Sequence, residues 1–253
     1  MNQRRAIPDT LYSTADVIVG GLEALEIRLM PGDEVLAQPG ALVALIGQAE
    51  FRASLTGGLW RSLLRRLSGE KFWRQRIRAS GPARAIFSDA HPGGIVHLRL
   101  DGTSRYIADR GRWLASVGDV LIAPQVEHRV MTGLFGGMGF VRQRFSGRGD
   151  VYLHAVGAVI DYALPEGVTA MVQNSAIVAV EDTVHYEAVM LAGLTTGMFG
   201  GEGWFLTKLT GPGRVILQTL DPKALRGSGR SARGGRDDGA TAEKSAAVSR
   251  RLG

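Results

Sequence analysis

No cysteine occurs in the 253 residues. Disulfides, thiolate catalysis and cysteine-held zinc or iron–sulfur centres are therefore excluded. Proline is sparse, at 9 residues. Lysine is nearly absent: Lys71, Lys208, Lys223 and Lys244 are the only four, and arginine supplies the rest of the basic set. No run approaches the ~18 apolar residues that a membrane-spanning helix needs. The first sixteen residues carry Arg4 and Arg5 but no apolar stretch of the secretory kind. Asp9 and Asp16 argue against an arginine-rich, acid-poor transit peptide. The expectation is a cytoplasmic protein, with peripheral contact to a membrane left open.

Hydrophobic residues make up 45% and charged residues 21%, close to ordinary globular usage. A disordered chain and a collagen are excluded on that ground. The formal charge is +6 and the pI about 10. Its distribution matters more than its size. Residues 221–253 hold eight basic and four acidic side chains, which leaves 22 and 20 for residues 1–220. The first 220 residues are nearly neutral, so global basicity is weak support for a nucleic-acid partner.

Glycine is abundant, at 35 residues, and its placement is periodic. The segments starting at Gly69, Gly137 and Gly201 align without gaps, and Gly81, Gly149 and Gly213 coincide within them. Phe72, Phe140 and Trp204 fall at one position of this alignment. An aromatic residue opening an apolar/polar alternation, with a glycine to reverse the chain, predicts a β-hairpin in each copy. Upstream, Ala41–Ala44, Arg112–Ala115 and Ala176–Ala179 each end in alanine after an apolar pair. The expectation is an all-β body over residues 1–220, made of three repeats at about 22–88, 93–155 and 158–219. A unit of this size buries too little alone, so three are expected to share one core about a pseudo-threefold axis. After Pro222 the chain turns glycine-, serine- and arginine-rich, which predicts a disordered basic tail over 221–253.

One segment departs from strand patterning. Leu59, Trp60, Leu63, Leu64 and Leu67 fall on one helical face, with Arg61, Arg65 and Arg66 on the other. This predicts a short helical insertion in the first repeat. It lies in the basic stretch 52–84, which holds nine Lys and Arg against Glu70 alone. Trp60, Arg61, Arg65, Arg66, Arg74 and Arg76 are the candidates for contact with an anionic partner, either an anionic membrane or nucleic acid. The competing reading is a solvated face whose leucines dock on the sheet. Nucleic acid is the less favoured partner; an unknown protein or a second copy of the chain is also open.

No catalytic constellation is visible. Gly-x-Gly-x-x-Gly, Gly-Lys-Ser/Thr, His-Glu-x-x-His and Gly-x-Ser-x-Gly are all absent. Gly69, Gly81, Gly137, Gly149, Gly201, Glu202, Gly203 and Gly213 read as turn residues of the repeats. Glu70 and Glu202 read as turn carboxylates, since position 138 of the middle copy is Met. His91, His97, His128, His154 and His185 make no metal-ligand spacing, although Pro92-Gly93-Gly94 could fold His91 and His97 together. No enzyme, cofactor or metal is expected.

The blocks Pro31-Gly32-Asp33…Gln38-Pro39-Gly40-Ala41, Gly57-Gly58-Leu59 and Gly201-Glu202-Gly203-Trp204…Gly213 together resemble the altered-inheritance-of-mitochondria (mitochondrial biogenesis) family over roughly residues 16–219. The resemblance implies an all-β fold akin to the tryptophan RNA-binding attenuator protein and a role in membrane-associated organisation. It implies no catalytic residue. The expected function is that of a non-enzymatic β scaffold or binding protein; RNA binding and small-molecule binding are the alternatives.

A membrane role for the arginine-rich segment predicts that Trp60→Ala with Arg65→Glu lowers co-sedimentation with anionic liposomes severalfold. Equal sedimentation of both proteins, or none, assigns the segment to the body instead.

Overall fold

A computed structural model of the chain describes residues 3–8, 10, 14–19, 22–54, 74–109, 111–126, 141–190, 205–222 and 225. The chain divides into two units, Met1–Leu220 and Asp221–Gly253, and nearly all described residues lie in the first. The predicted helix over 59–67, the glycines at 69, 137, 201 and 203, Glu202, His128 and the tail apart from residues 221, 222 and 225 fall outside the described residues.

The described part is almost entirely strand. In chain order come β1 (Gln3–Ala6), β2 (Thr14–Val19), β3 (Ala24–Leu29), β4 (Glu34–Ala37), β5 (Leu42–Ser54) and β6 (Arg74–Phe87). There follow β7 (Gly93–Asp101), β8 (Tyr106–Asp109), β9 (Trp113–Val126) and β10 (Val141–Val156). The last are β11 (Val159–Leu164), β12 (Thr169–Gln173), β13 (Ile177–Glu181), β14 (His185–Met190), β15 (Phe205–Thr210) and β16 (Gly213–Gln218). The all-β class expected from alternation and glycine spacing is what the chain forms.

Two long strands organise the larger sheet. β6 pairs antiparallel with β5 along one edge and with β3 and β4 along the other. β10 does the same with β9 on one edge and with β7 and β8 on the other. In the last third the long strand is split. β16 pairs with β11 and β13, whereas β15 pairs with β12 and β14 in a separate three-stranded sheet. Two further ladders join the thirds: β4 to β9 through Leu36↔Ser116 and Ala37↔Ala115, and β8 to β13 through Ile107↔Val180 and Ala108↔Ala179. The N-terminal strands β1 and β2 extend the sheet beyond β3.

The alternation predicted from sequence is realised most clearly in β6, where Ile77, Ala79, Gly81, Ala83, Ala85 and Phe87 are buried and the intervening residues face outward from Arg78 on. The interior differs from the expected single core. Buried apolar side chains form three clusters. One gathers around Leu25, Ile27, Ile77 and Phe87, one around Leu98, Phe145 and Leu153, and one around Ile177, Leu209 and Val215. Each cluster straddles a join between thirds: the first takes in Leu114, Ala115 and Tyr152, the second Val178, Ala179 and Ile216, and the third Ile107.

Two glycines expected to reverse the chain do not. Gly81 and Gly149 lie inside β6 and β10, which run on without interruption. What selects glycine there is close approach of backbone or side chain. A Cβ on Gly149 would run into the Val117 carbonyl oxygen and lie 2.7 Å from Val120 Cγ2, while one on Gly81 would meet the side chain of Gln48. In the third segment the strand does break, at Gly211-Pro212, and β16 starts at Gly213.

Gly149→Ala is therefore expected to cost ~1–3 kcal/mol, because the obstructing atom is backbone. Gly81→Ala is expected to cost less, because the Gln48 side chain can turn away. Urea denaturation midpoints of the two variants against wild type check the order.

Candidate functional site: a buried polar line on β10

Alternation along β10 places Asp150, Tyr152 and His154 on one face, while Val151, Leu153 and Ala155 enter the second apolar cluster on the other. All three are fully buried or nearly so. His97 on β7 stands opposite Tyr152. Its Nε2 lies 2.8 Å from Asp150 Oδ1, and its ring stacks on Tyr152 with centroids 5.3 Å apart. A carboxylate enclosed in protein is tolerated only with such partners.

At the other end of the line, Asp89 sits between two histidines. His91 Nδ1 lies 2.6 Å and His154 Nδ1 3.8 Å from Asp89 Oδ1. The His91 backbone N–H also donates to Asp89 Oδ1 at 2.9 Å. Burial pushes the Asp89 carboxyl up, but its hydrogen bonds from the His91 side chain and backbone, with the charges of both histidines, outweigh this and hold it below the usual range. His154 is shifted down, chiefly by burial, with the attraction of Asp89 and Glu23 opposed by Arg112 and His91.

The site stands where the beginnings of three strands meet. The Ile95 N–H donates to Glu23 Oε2 at 2.7 Å, the Glu23 N–H donates to the Gly93 carbonyl at 3.2 Å, and the Gly157 N–H donates to the Pro92 carbonyl at 2.9 Å. Gly93 is irreplaceable by size, since a Cβ would run into the Ala155 carbonyl oxygen and the His154 ring.

The aligned positions of the last third carry a related pattern. Arg214 takes the place of Asp150 and donates to Asp161, which takes the place of His97. Gln218 takes the place of His154, accepts from the Val156 N–H at 2.9 Å and donates to the Ser175 carbonyl at 2.7 Å. A third polar knot ties β10 to the small sheet. Arg142 is buried, donates to Asn174 Oδ1 at 3.0 Å and to the Tyr186 hydroxyl, and its guanidinium lies 3.9 Å from the Tyr186 ring centroid. In the first third, Arg4, Arg28 and Arg84 surround buried Glu26, with Arg4 Nη1 donating at 2.7 Å.

Chemically, these groups face one another. Asp89 and Asp150 each hold a histidine, and the His97 ring also stacks on Tyr152. Both histidines near Asp89 present Nδ1 to the same carboxylate oxygen. Among the described residues no group of three His, Asp or Glu side chains is disposed to hold a metal ion.

The turn that could have folded His91 and His97 together leaves each with its own aspartate, Asp89 and Asp150. His185 lies exposed on β14. Of the anionic-partner candidates, Arg74 donates from Nη2 to the Ile122 carbonyl at 2.7 Å and Arg76 pairs with Glu34 at 2.6 Å, so both are engaged by the body. Trp60, Arg61, Arg65 and Arg66 lie outside the described residues. The polar line itself went unseen in sequence, although Asp150, Tyr152 and His154 at i, i+2 and i+4 in an otherwise apolar strand were a readable signal.

Fold and site together define an all-β protein of long, doubly paired antiparallel strands, with buried ion pairs and hydrogen bonds such as His97–Asp150 between them. The chain belongs to the mitochondrial biogenesis AIM24 family, whose model matches residues 17–220. Among solved structures it is similar to protein SPYM3_0169 of Streptococcus pyogenes, with a TM-score of 0.68 at 20% identity, over 92% of this chain and 100% of that one. That likeness is one of fold. No curated protein matches the chain. Among the described residues no helix is long and apolar enough to cross a membrane.

A histidine held neutral by burial binds its proton less readily folded than unfolded. As pH falls below ~6.5, the unfolded state therefore gains protons first and stability drops. Thermal melts are expected to lose several degrees between pH 7 and 5, and His154→Gln is expected to flatten that slope. Asp89 contributes stability that disappears only at pH values below its ordinary range near 3.8. Equal slopes for wild type and His154→Gln would remove His154 from this account.

Proposed function

We propose that this protein works by binding rather than catalysis, as a non-enzymatic β scaffold of three similar sheet units about a pseudo-threefold axis. The observation that supports this reading is the contrast between its polar interior and one outer strand. Asp150 is paired with His97, Glu26 with Arg4, and Arg142 with Asn174 and Tyr186. β11, by contrast, ends the large sheet with five consecutive exposed residues, Val159–Ala163, and Tyr162 is 61% exposed. An aromatic side chain beside an open strand edge, with Ile160 next to it, is what a protein partner recognises. The family's description, mitochondrial biogenesis, assigns no reaction. The nucleic-acid reading gains no support from Arg74 and Arg76, whose guanidinium groups already have partners.

Ile160→Glu with Tyr162→Glu on β11 is expected to keep the melting temperature within a few degrees, because both side chains face solvent. Quantitative co-purification from the native cell is expected to lose specific partners. An unchanged set of co-purified proteins would overturn β11 as the contact. A substrate turned over by the purified chain would overturn the binding role altogether.

A further inference from the structure

Residues 88–94 run from the end of β6 to the start of β7 and lie over His154. Gly93 touches the ring: a Cβ built on it would stand 2.9 Å from His154 Cε1. His154 is 1% exposed, whereas Asp89 and His91 on the covering segment are only partly buried. An imidazole so enclosed meets water only when a neighbour moves. On its own strand it is fixed by the β10 ladders with β7 and β9. The segment 88–92 precedes the β7 ladder, which begins at Gly93↔Val156.

The same segment ties strand starts together. The Pro92 carbonyl accepts from the Gly157 N–H, two residues before β11, and the Gly93 carbonyl accepts from the Glu23 N–H, just before β3. Gly93 and Gly157 also form an isolated bridge. A Cβ on Gly94 would lie 3.1 Å from Val159 Cγ2 of β11 and 3.4 Å from Glu23 Oε2. Movement over His154 therefore loosens β3 and β11 at their first residues.

Charged groups face His154 from each element around it. Asp89 and His91 come from the covering segment, Glu23 from the approach to β3 and Arg112 from the approach to β9. Arg5 of β1 stands behind Glu23 at 3.3 Å. On β10 itself Asp150 is taken by His97. Asp89 Oδ1 is 2.6 Å from His91 Nδ1 and accepts the His91 N–H at 2.9 Å, against 3.8 Å to His154 Nδ1. The carboxylate thus serves His91 first. A proton on the enclosed His154 is left with a share of Asp89 and the more distant Glu23, opposed by Arg112. With the cover lifted, the same imidazolium has water.

We propose that residues 88–94 form an acid-operated strap: protonation of His154 lifts it, breaks the Glu23 and Gly157 ties and frees the starts of β3 and β11. The closed strap disfavours the charged ring, so the lifted form binds the proton more readily. Opening therefore grows as pH falls through the ordinary histidine range near 6.5, and the strap is closed above it. Its consequence for partner contact rests on the β11 reading above, whereas the opening itself is measured without a partner.

Amide hydrogen exchange of the full chain, corrected for the intrinsic rate at each pH, reads local opening directly. Between pH 7 and 5.5 the protection of Glu23, Ile95 and Gly157 is expected to fall about tenfold. Gln38 and Ala79, whose N–H groups bond to Leu114 and Asp33 away from the strap, are expected to change little. His154→Gln is expected to remove the fall; the last third already uses Gln218 at the aligned place. The NMR shift of the His154 ring carbon Cε1 supplies a readout that needs no variant, and it is expected to titrate in step with the loss of protection. Unchanged protection at Glu23, Ile95 and Gly157 would overturn the strap. So would an equal fall at all five amides, which is global loosening, a fall that persists in His154→Gln, or a ring carbon that does not titrate with it. None of these failures touches the β11 contact, which is read by co-purification.

Discussion

Strands of 14 and 16 residues, as β6 and β10 are, present backbone donors and acceptors along both edges, alternate residues facing alternate edges. Each such group needs a partner once it leaves water. This demand explains the architecture better than apolar burial does. β6 and β10 each satisfy one edge with a long hairpin mate and the other with two short strands laid end to end. The short strands then have an outer edge of their own, and β4 and β8 satisfy theirs on the next third. The sheet grows because each solution to the edge problem creates another edge. The three apolar clusters follow from this, each spanning a join where the strands of one third pair with those of the next.

Buried polar residues are the second consequence. A strand that crosses from one apolar cluster toward the junction of three strand starts cannot be apolar on both faces throughout. On β10 the residues that meet this junction are Asp150, Tyr152 and His154; His97 of β7 holds the first two, and Asp89, in the turn before β7, faces the third. Asp89 carries two histidines and Asp150 one, which resembles catalytic hardware in outline. The difference lies in what the imidazoles face. Here His91 and His154 face one carboxylate and His97 another, and burial holds the His154 pKa down. The last third reaches the same end with Arg214, Asp161 and Gln218, different chemistry in matching places.

Alternation and the recurrence of glycine and aromatic residues made the all-β class readable from the chain. Their meaning was only half readable. Glycine reverses a strand or admits a close neighbour, and sequence does not distinguish the two; Gly81 and Gly149 turned out to be the second kind. The single-core expectation failed for a related reason, because the number of apolar layers depends on which strands lie on which edges. His154 was visible as a letter but not as a partner of Asp89, since 65 residues separate them and the contact depends on register. His97 and Asp150, 53 residues apart, were hidden in the same way. Arg74 and Arg76 looked like free basic groups because their acceptors, the Ile122 carbonyl and Glu34, come from other strands.

Edges that end the sheet show how the chain separates contact from exposure. β1 ends in arginines, of which Arg4 reaches back to Glu26 and Arg5 to Glu23. Those pairs hold the outermost strand in place and leave charge at its rim, which discourages a further strand. β11 keeps one carboxylate, Asp161, but occupies it with Arg214, so its guard is partly neutralised while Tyr162 stays outside. The first half of β5 and the whole of β12 have no charge to neutralise. Solubility alone would select against two uncharged, half-apolar edges on one body.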